Sequence, residues 1–131
     1  MGIVIEVWKL ASAQAHSFLD PEFVAKAELD LREIYLPKTE TWVYEVEGTV
    51  VGFISMISSE IGGLFVHPQF QSRGIGTGLV NFISKIFPEL QVEAFEKNTV
   101  GKSFYLKYGF RLNKCYWHEP SGEMVMRLEL T

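Results

Sequence analysis

The stretch Gln71-Ser72-Arg73-Gly74-Ile75-Gly76-Thr77-Gly78 separates two segments with different apolar patterns. Residues 61–66 before it form a strand-like run, and residues 76–87 after it carry apolar side chains at helical spacing. A glycine-rich loop between a strand and a helix places backbone N–H groups at the positive end of the helix dipole, which suits a phosphate or pyrophosphate. The glycines let the backbone approach such an anion, and Arg73 adds a positive charge. The stretch therefore predicts an anion-binding cradle at the start of a helix.

Two common phosphate-binding patterns do not fit this loop. Its glycine spacing does not match the dinucleotide pattern G-x-G-x-x-G, and it lacks the Lys followed by Ser or Thr of the nucleotide P-loop. The alternative to a cradle is a tight turn whose glycines only permit a close approach of the backbone. The neighbouring segments must decide between the two.

The pattern outside the loop predicts one layered α/β domain that covers residues 1–131. Two helices come first, up to residue 18 and from Asp20-Pro21 to Pro37. Ile3-Val4-Ile5 is β-branched, so a short strand there is the alternative to an early helix. The remaining predicted strands are 42–46, 50–56, 61–66 and 90–95, and the glycine pair Gly62-Gly63 indicates either a bulge or a close approach of another group. Helices are predicted at 76–87 and 98–108, and a hairpin of 110–117 with 124–130. We expect a mixed, largely antiparallel twisted sheet flanked by helices.

Composition excludes several function classes. The net charge of −4 disfavours nucleic acid and anionic membranes as partners. Cys115 is the only cysteine and the three histidines are scattered, so we expect no metal site. The first residues lack a basic region and a small-residue cleavage site, which predicts a cytoplasmic protein.

Three ordered motifs resemble the GNAT family of N-acetyltransferases. Residues 71–76 match its pattern [Q/R]-x-x-G-x-[G/A], and Leu64-Phe65-Val66-His67-Pro68 resembles the strand that precedes that pattern. Asn98 and the later Phe104-Tyr105-Leu106-Lys107-Tyr108-Gly109-Phe110 resemble its Asn and F-Y-x-x-x-G-F segment. The chain looks like a small bacterial member of this family. One departure is that members usually open with a strand before the first helix, so the strand at 42–46 is expected to form an open sheet edge.

The resemblance implies acetyl-CoA as the cosubstrate and assigns residues to it. It implies that acyl-CoA lies between the strands that end at Val66 and begin at Leu90. The implied cofactor-binding residues are Leu64, Phe65, Val66, Gln71, Ser72, Arg73, Gly74, Ile75, Gly76, Thr77, Asn98 and Ser103.

The catalytic assignments follow from two proton transfers that acyl transfer to an amine requires: the amine must lose a proton, and the departing thiolate must gain one. Tyr105, near the thioester sulfur by resemblance, is the candidate general acid for the departing thiolate, and the alternative is a core aromatic. Glu60 lies where some members carry a carboxylate base, and the alternative is a solvated acid at a strand end. His16 is the candidate acceptor-site residue, because its region shapes the acceptor pocket in the family. Cys115 has no activating neighbour in the sequence, so direct transfer is favoured.

The sequence therefore predicts an enzyme that moves an acetyl group from acetyl-CoA to a primary amine of a small molecule or peptide. Two alternatives stay open. One is a non-catalytic acyl-CoA-binding or sensing module, and the other is an interaction protein that recruits a partner, or a second copy of itself, through the exposed edge strand.

Overall fold

A computed structural model describes residues 2–131 and contains, within them, a six-stranded sheet with helices on both faces. The helices are α1 (Gly2–Ala15), α2 (Pro21–Asp30), α3 (Leu36–Lys38), α4 (Ile75–Ser84) and α5 (Thr99–Tyr108), and the strands are β1 (Glu40–Val46), β2 (Thr49–Ile57), β3 (Glu60–Val66), β4 (Leu90–Phe95), β5 (Arg111–His118) and β6 (Glu123–Leu130). The strand order is β1-β2-β3-β4-β6-β5. The predicted fold class is confirmed.

The sheet is antiparallel except at its centre. There β3 and β4 run parallel, because the chain returns across the sheet through α4. This pair is joined only at Glu60 with Gln91 and Ile61 with Val92, whereas β2 pairs with β3 as far as Val66. The two central strands therefore separate after their first residues.

Apolar clusters lie on both faces of the sheet. On one face α1 packs Val7 and Trp8 against Phe53 of β2, which is fully buried. On the other face α4 and α5 cover a larger cluster that contains Val80 and Leu128. Burial of each such side chain contributes about 1.5–3 kcal/mol before entropy is counted, so the two layers hold the helices firmly on the sheet.

The beginning of the chain confirms the predicted helix and excludes the strand alternative at residues 3–5. The second predicted helix differs in its course, since α2 ends at Asp30 and the chain continues through a π-helical turn, Leu31–Tyr35, into α3. The wider turn changes which side chains face inwards, so that Ile34 is 46% exposed and Leu36 is buried. Pro37 is tolerated because it lies in the first turn of α3.

Two further predictions concern the strands. Register places Ser55 opposite Gly63 and Met56 opposite Ile61, so Gly62 is an extra residue and the predicted bulge is confirmed. As predicted, β1 lies at an edge of the sheet. The helix predicted at 76–87 is shorter, because regular α4 structure ends at Ser84 and the next residues form turns before Pro88.

Candidate functional site

A cleft of about 630 Å³ opens where β3 and β4 separate. Leu64, Phe65 and Val66 line it, and within the described chain the side of these residues that faces β4 has no strand partner. Unpaired backbone groups beside a cavity are available to a ligand that carries amides of its own. The cleft therefore has one wall that can bind an extended chain by main-chain hydrogen bonds.

The loop that follows β3 is held in a specific shape. The side-chain amide of Gln71 donates a hydrogen bond of 3.1 Å to the carbonyl of Val66, which ties the loop to the strand end. Ser72 and Gly74 both adopt left-handed conformations, with φ of 64° and 81°. Arg73 does not line the cleft, and its guanidinium lies 5.1 Å from the centre of the Phe70 ring.

The first turn of α4 forms the floor of the loop. Gly74 is the N-cap and supplies no side-chain cap, and its carbonyl accepts the hydrogen bond from the amide of Gly78 at 2.9 Å. The amides of Ile75, Gly76 and Thr77 therefore lack helical partners, and these three residues line the cleft. Orphan amides at the positive end of a helix fit the pyrophosphate of a coenzyme.

The opposite wall comes from α5. Asn98 caps this helix, and Ser103, Phe104 and Tyr105 face the cleft with it. A Cβ atom built on Gly76 would lie 3.4 Å from the Phe104 ring, so the two walls already approach closely at this point. A larger side chain at residue 76 would narrow the space.

Tyr105 is buried but reaches the cleft. Its ring packs edge-on against Phe104 and Phe110, with centroids 5.3 and 5.2 Å apart. Its hydroxyl has no hydrogen-bond partner among the described residues, and no buried side-chain polar atom among them is left unpartnered, so the hydroxyl opens onto the cleft. Burial raises the pKa of the Tyr105 hydroxyl above its usual 10, so the group carries its proton at neutral pH.

The structure brings most of the predicted site residues together. All of the predicted cofactor-binding residues except Arg73 line the cleft, and so does Tyr105. Glu60 and His16 lie outside the lining. The lining residues that sequence reasoning missed are Ala11, Ala15, Phe70, Thr99, Val100, Gly101, Phe104 and Lys107. The small residues at the end of α1 and the lysine in the last turn of α5 were the available signals.

The carboxylate of Glu60 forms an ion pair with the guanidinium of Arg127. Arg127 of β6 donates to its carboxylate at 2.9 and 3.4 Å and to the side-chain carbonyl of Gln91 at 2.8 Å. Glu93 lies 3.9 Å from the same guanidinium. The hydrogen bond to Glu60 raises the pKa of Arg127 above its usual value. The cluster joins β3, β4 and β6 where the sheet is still paired.

His16 lies just past α1 in an aromatic cluster. Its ring centroid is 5.2 Å from that of Phe95, 6.0 Å from that of Phe18 and 6.2 Å from that of Phe65, each edge-on. Burial lowers the pKa of His16 from 6.5 to about 4, so the ring is neutral at physiological pH.

Residues 2–131 also lack a membrane-spanning helix and a metal-binding cluster. None of the helices there is both long and apolar enough to cross a membrane. No group of three or more His, Cys, Asp or Glu side chains is placed to hold a metal ion in that range.

A parallel strand pair that separates beside the uncapped start of a helix, with a phenol on the facing wall, fits the class of coenzyme A-dependent acyltransferases. The profile of the acetyltransferase (GNAT) domain matches residues 37–112, which is more than half of the chain. The chain belongs to the GNAT acetyltransferase family. It is therefore an N-acetyltransferase that uses acetyl-CoA, as the sequence predicted.

Similar proteins agree with this assignment. The chain is 28% identical over 119 residues to the peptidyl-lysine N-acetyltransferase YiaC of Escherichia coli, covering 90% of this chain and 82% of that protein. It is 30% identical over 110 residues to the peptidyl-lysine N-acetyltransferase YjaB of Salmonella typhimurium, covering 83% and 75%. The solution structure of apo YjaB from Escherichia coli superposes with a TM-score of 0.84 at 26% identity, covering 96% of this chain and 87% of that one.

Proposed function

We propose that this chain acetylates the side-chain amine of lysine residues in proteins or peptides. The observation that carries the proposal is the cleft between β3 and β4, with the orphan amides of α4 at its floor. Two relatives that match over most of this chain are peptidyl-lysine N-acetyltransferases, which supports the choice of acceptor. A small-molecule amine is the alternative acceptor.

The proposed coenzyme site uses both walls of the cleft. The backbone of Leu64, Phe65 and Val66 would pair with the amides of the pantetheine arm, and Ser103 would face that arm from α5. The amides of Ile75, Gly76 and Thr77 and the loop residues 71–74 would bind the pyrophosphate. Lys107 lines the same cleft and adds a positive charge, whereas Arg73 would act from outside the lining.

The proposed chemistry is direct transfer. Acetyl-CoA supplies an activated thioester; the neutral amine attacks its carbonyl carbon, the C–N bond forms and the C–S bond breaks. The Tyr105 hydroxyl, which retains its proton at neutral pH, donates to the departing thiolate sulfur, and the proton that the attacking nitrogen loses as the amide forms restores the phenol. Positioning of the two reactants by the walls of the cleft supplies much of the remaining acceleration.

Glu60 remains the proposed destination of the ammonium proton. Its carboxylate lies outside the cleft lining and is held by Arg127, so we propose that the proton travels through water rather than by direct contact. Water is a suitable carrier because an open cleft admits it.

The face of β4 on which α1 packs carries the residues of the proposed acceptor path. Glu93 lies two residues before Phe95 on β4, so both side chains point to the face on which α1 packs and where Phe95 contacts His16. The carboxylates of Glu60, Glu93 and Glu129 act on Arg127, and Arg111 and Lys114 of β5 lie opposite Glu129 and Arg127, so charges of both signs meet on this face. We propose that His16 and Phe95, whose rings are in edge-on contact, border the path of the acceptor amine.

Two finer predictions remain proposals. A homodimer through the exposed edge strand β1 is one, since Val43 and Tyr44 are 43% and 37% exposed there. A cytoplasmic location is the other.

Calorimetric titration with acetyl-CoA tests the coenzyme half. Wild type should show saturable binding, and Gly74→Asp should abolish it by placing bulk and negative charge in the cradle. Gly48→Asp is the matched control, because Gly48 has the same φ of 81° and the same open surroundings but lies in the β1–β2 turn. Equal binding by wild type and Gly74→Asp would refute the proposed cradle.

An acceptor screen tests the other half. Purified protein and acetyl-CoA are incubated with a lysine-containing peptide blocked at its N-terminus, with its arginine counterpart, and with small amines. Mass spectrometry locates the acetyl group, and free coenzyme A reports turnover. Acetylation of the lysine peptide alone is the expected result. Turnover with small amines alone would overturn the lysine proposal while leaving the acetyltransferase assignment intact.

A further inference from the structure

Side-chain hydrogen bonds connect the end of α1 to the start of α5. Ser12 Oγ lies 3.2 Å from His16 Nδ1, and His16 Nε2 lies 3.3 Å from Asn98 Nδ2. The Oδ1 atom of the same Asn98 accepts the backbone N–H of Gly101 at 3.0 Å. We call these four residues the α1–α5 latch.

The direction of each hydrogen bond follows from Asn98. Its Oδ1 is the acceptor for the Gly101 amide, so its NH₂ group must be the donor towards His16. His16 Nε2 is therefore unprotonated, and the ring proton is on Nδ1, from which it donates to Ser12 Oγ. The low pKa of the buried ring agrees with this neutral tautomer. A second proton on Nε2 would set two donors against each other.

The Asn98 amide occupies the space in which residue 101 would otherwise carry a side chain. A Cβ atom built on Gly101 would lie 2.6 Å from Asn98 Nδ2, which is closer than real contacts allow. Residue 101 is therefore glycine because the amide fills the space beside it. On the other side, the rings of Phe65 and Phe95 pack edge-on against the His16 imidazole.

The latch joins two parts of the cleft wall. Ala11 and Ala15 of α1 line the cleft, as do Asn98 and Gly101 at the start of α5. His16 does not line it, and both of its ring nitrogens are engaged within the protein. The imidazole therefore lies behind the wall, where it fixes the distance between the two helices.

We propose that His16 is a positioning residue, which acts through Asn98 to hold α1 against the start of α5 and so keeps the acetyl-CoA cleft in its binding shape. It is not the base of the reaction. The inference rests on the proposed coenzyme site and adds the group that preorganises it.

The test compares His16→Leu, which keeps bulk but removes the acceptor, with His16→Gln, whose side-chain carbonyl can accept from Asn98. His16→Leu should raise the Kd and KM for acetyl-CoA at least tenfold and change kcat less, and His16→Gln should bring both constants back to within about threefold of wild type. In an Asn98→Ser background, where the hydroxyl can still cap α5 but does not reach His16, adding His16→Leu should cause little further loss, because the connection is already broken. An acetyl-CoA Kd unchanged in His16→Leu, or fully additive losses, would overturn the proposal.

A spectroscopic measurement on the wild type needs no variant. Nitrogen-15 NMR of the labelled imidazoles should show His16 with a protonated Nδ1 and an unprotonated Nε2 at neutral pH. The opposite tautomer would refute the latch even if acetyl-CoA binds. If wild type itself fails to bind acetyl-CoA, the proposed function fails, whereas the tautomer still reports on the latch.

Discussion

Replacement of Tyr105 by phenylalanine should slow catalysis while leaving the binding site in place. The ring is 7% exposed and is held by Phe104 and Phe110, and phenylalanine keeps these contacts. Only the hydroxyl is lost, and within residues 2–131 it has no protein partner. A positioned proton donor contributes about 10²–10⁴-fold, so we expect kcat to fall by about 100-fold or more, which corresponds to about 2.7 kcal/mol of transition-state stabilisation.

The assay separates the acid role from a packing role. Initial rates with a lysine peptide should show the loss in kcat, while the calorimetric Kd for acetyl-CoA stays within about twofold. Because burial raises the pKa of the hydroxyl, wild-type rates should show no decline from Tyr105 ionisation between pH 7 and 9. Tyr105→Leu is the packing control, since it should weaken both binding and stability. An unchanged kcat in Tyr105→Phe would remove Tyr105 as the acid.

The remaining predictions concern stability. Gly74→Ala should lower the free energy of unfolding by about 1–2 kcal/mol, because φ is 81° there, whereas Gly76→Ala, inside α4 and 3.4 Å from the Phe104 ring, should raise it by about 0.5–1 kcal/mol. Urea unfolding checks both, and changes of the same sign would contradict the reasoning. The pKa of His16 falls from 6.5 to about 4 on folding. The free energy of unfolding is therefore unaffected by His16 above pH 6.5 and decreases as pH falls towards 4, by a total on the order of 3 kcal/mol. His16→Gln should lack that loss in urea titrations across this range, and an unaltered pH slope would contradict the assignment.

The sequence predicted the cleft better than its surroundings because the cleft is built from local chain geometry. A strand, a glycine-rich loop and a helix start are contiguous in residues 60–84, so pattern and turn chemistry are enough to place them. The bulge at Gly62 was visible for the same reason.

Local patterns in the sequence could not predict which side chains pair with Glu60 and His16. Glu60 meets Arg127 across 67 positions of sequence, and His16 meets Asn98 across 82. Such contacts depend on strand order and on the packing of α1, which periodicity does not specify. The π-helical turn at Leu31–Tyr35 was missed because one extra residue in a turn leaves no clear mark on an apolar stripe.

The backbone groups that the cleft offers to a ligand are groups that the fold could otherwise use for its own hydrogen bonds. A continuous parallel pair would use the free side of residues 64–66 within the sheet, and a side-chain cap at Gly74 would satisfy an amide of α4. The chain has neither the continuous strand pair nor the side-chain cap, so these backbone groups are free to bond to a ligand. A closed sheet or a capped helix would add stability and remove the binding wall. The unpaired strand side and the uncapped helix therefore belong to the site, and the buried layers around Phe53 and Leu128 supply the stability that tolerates them.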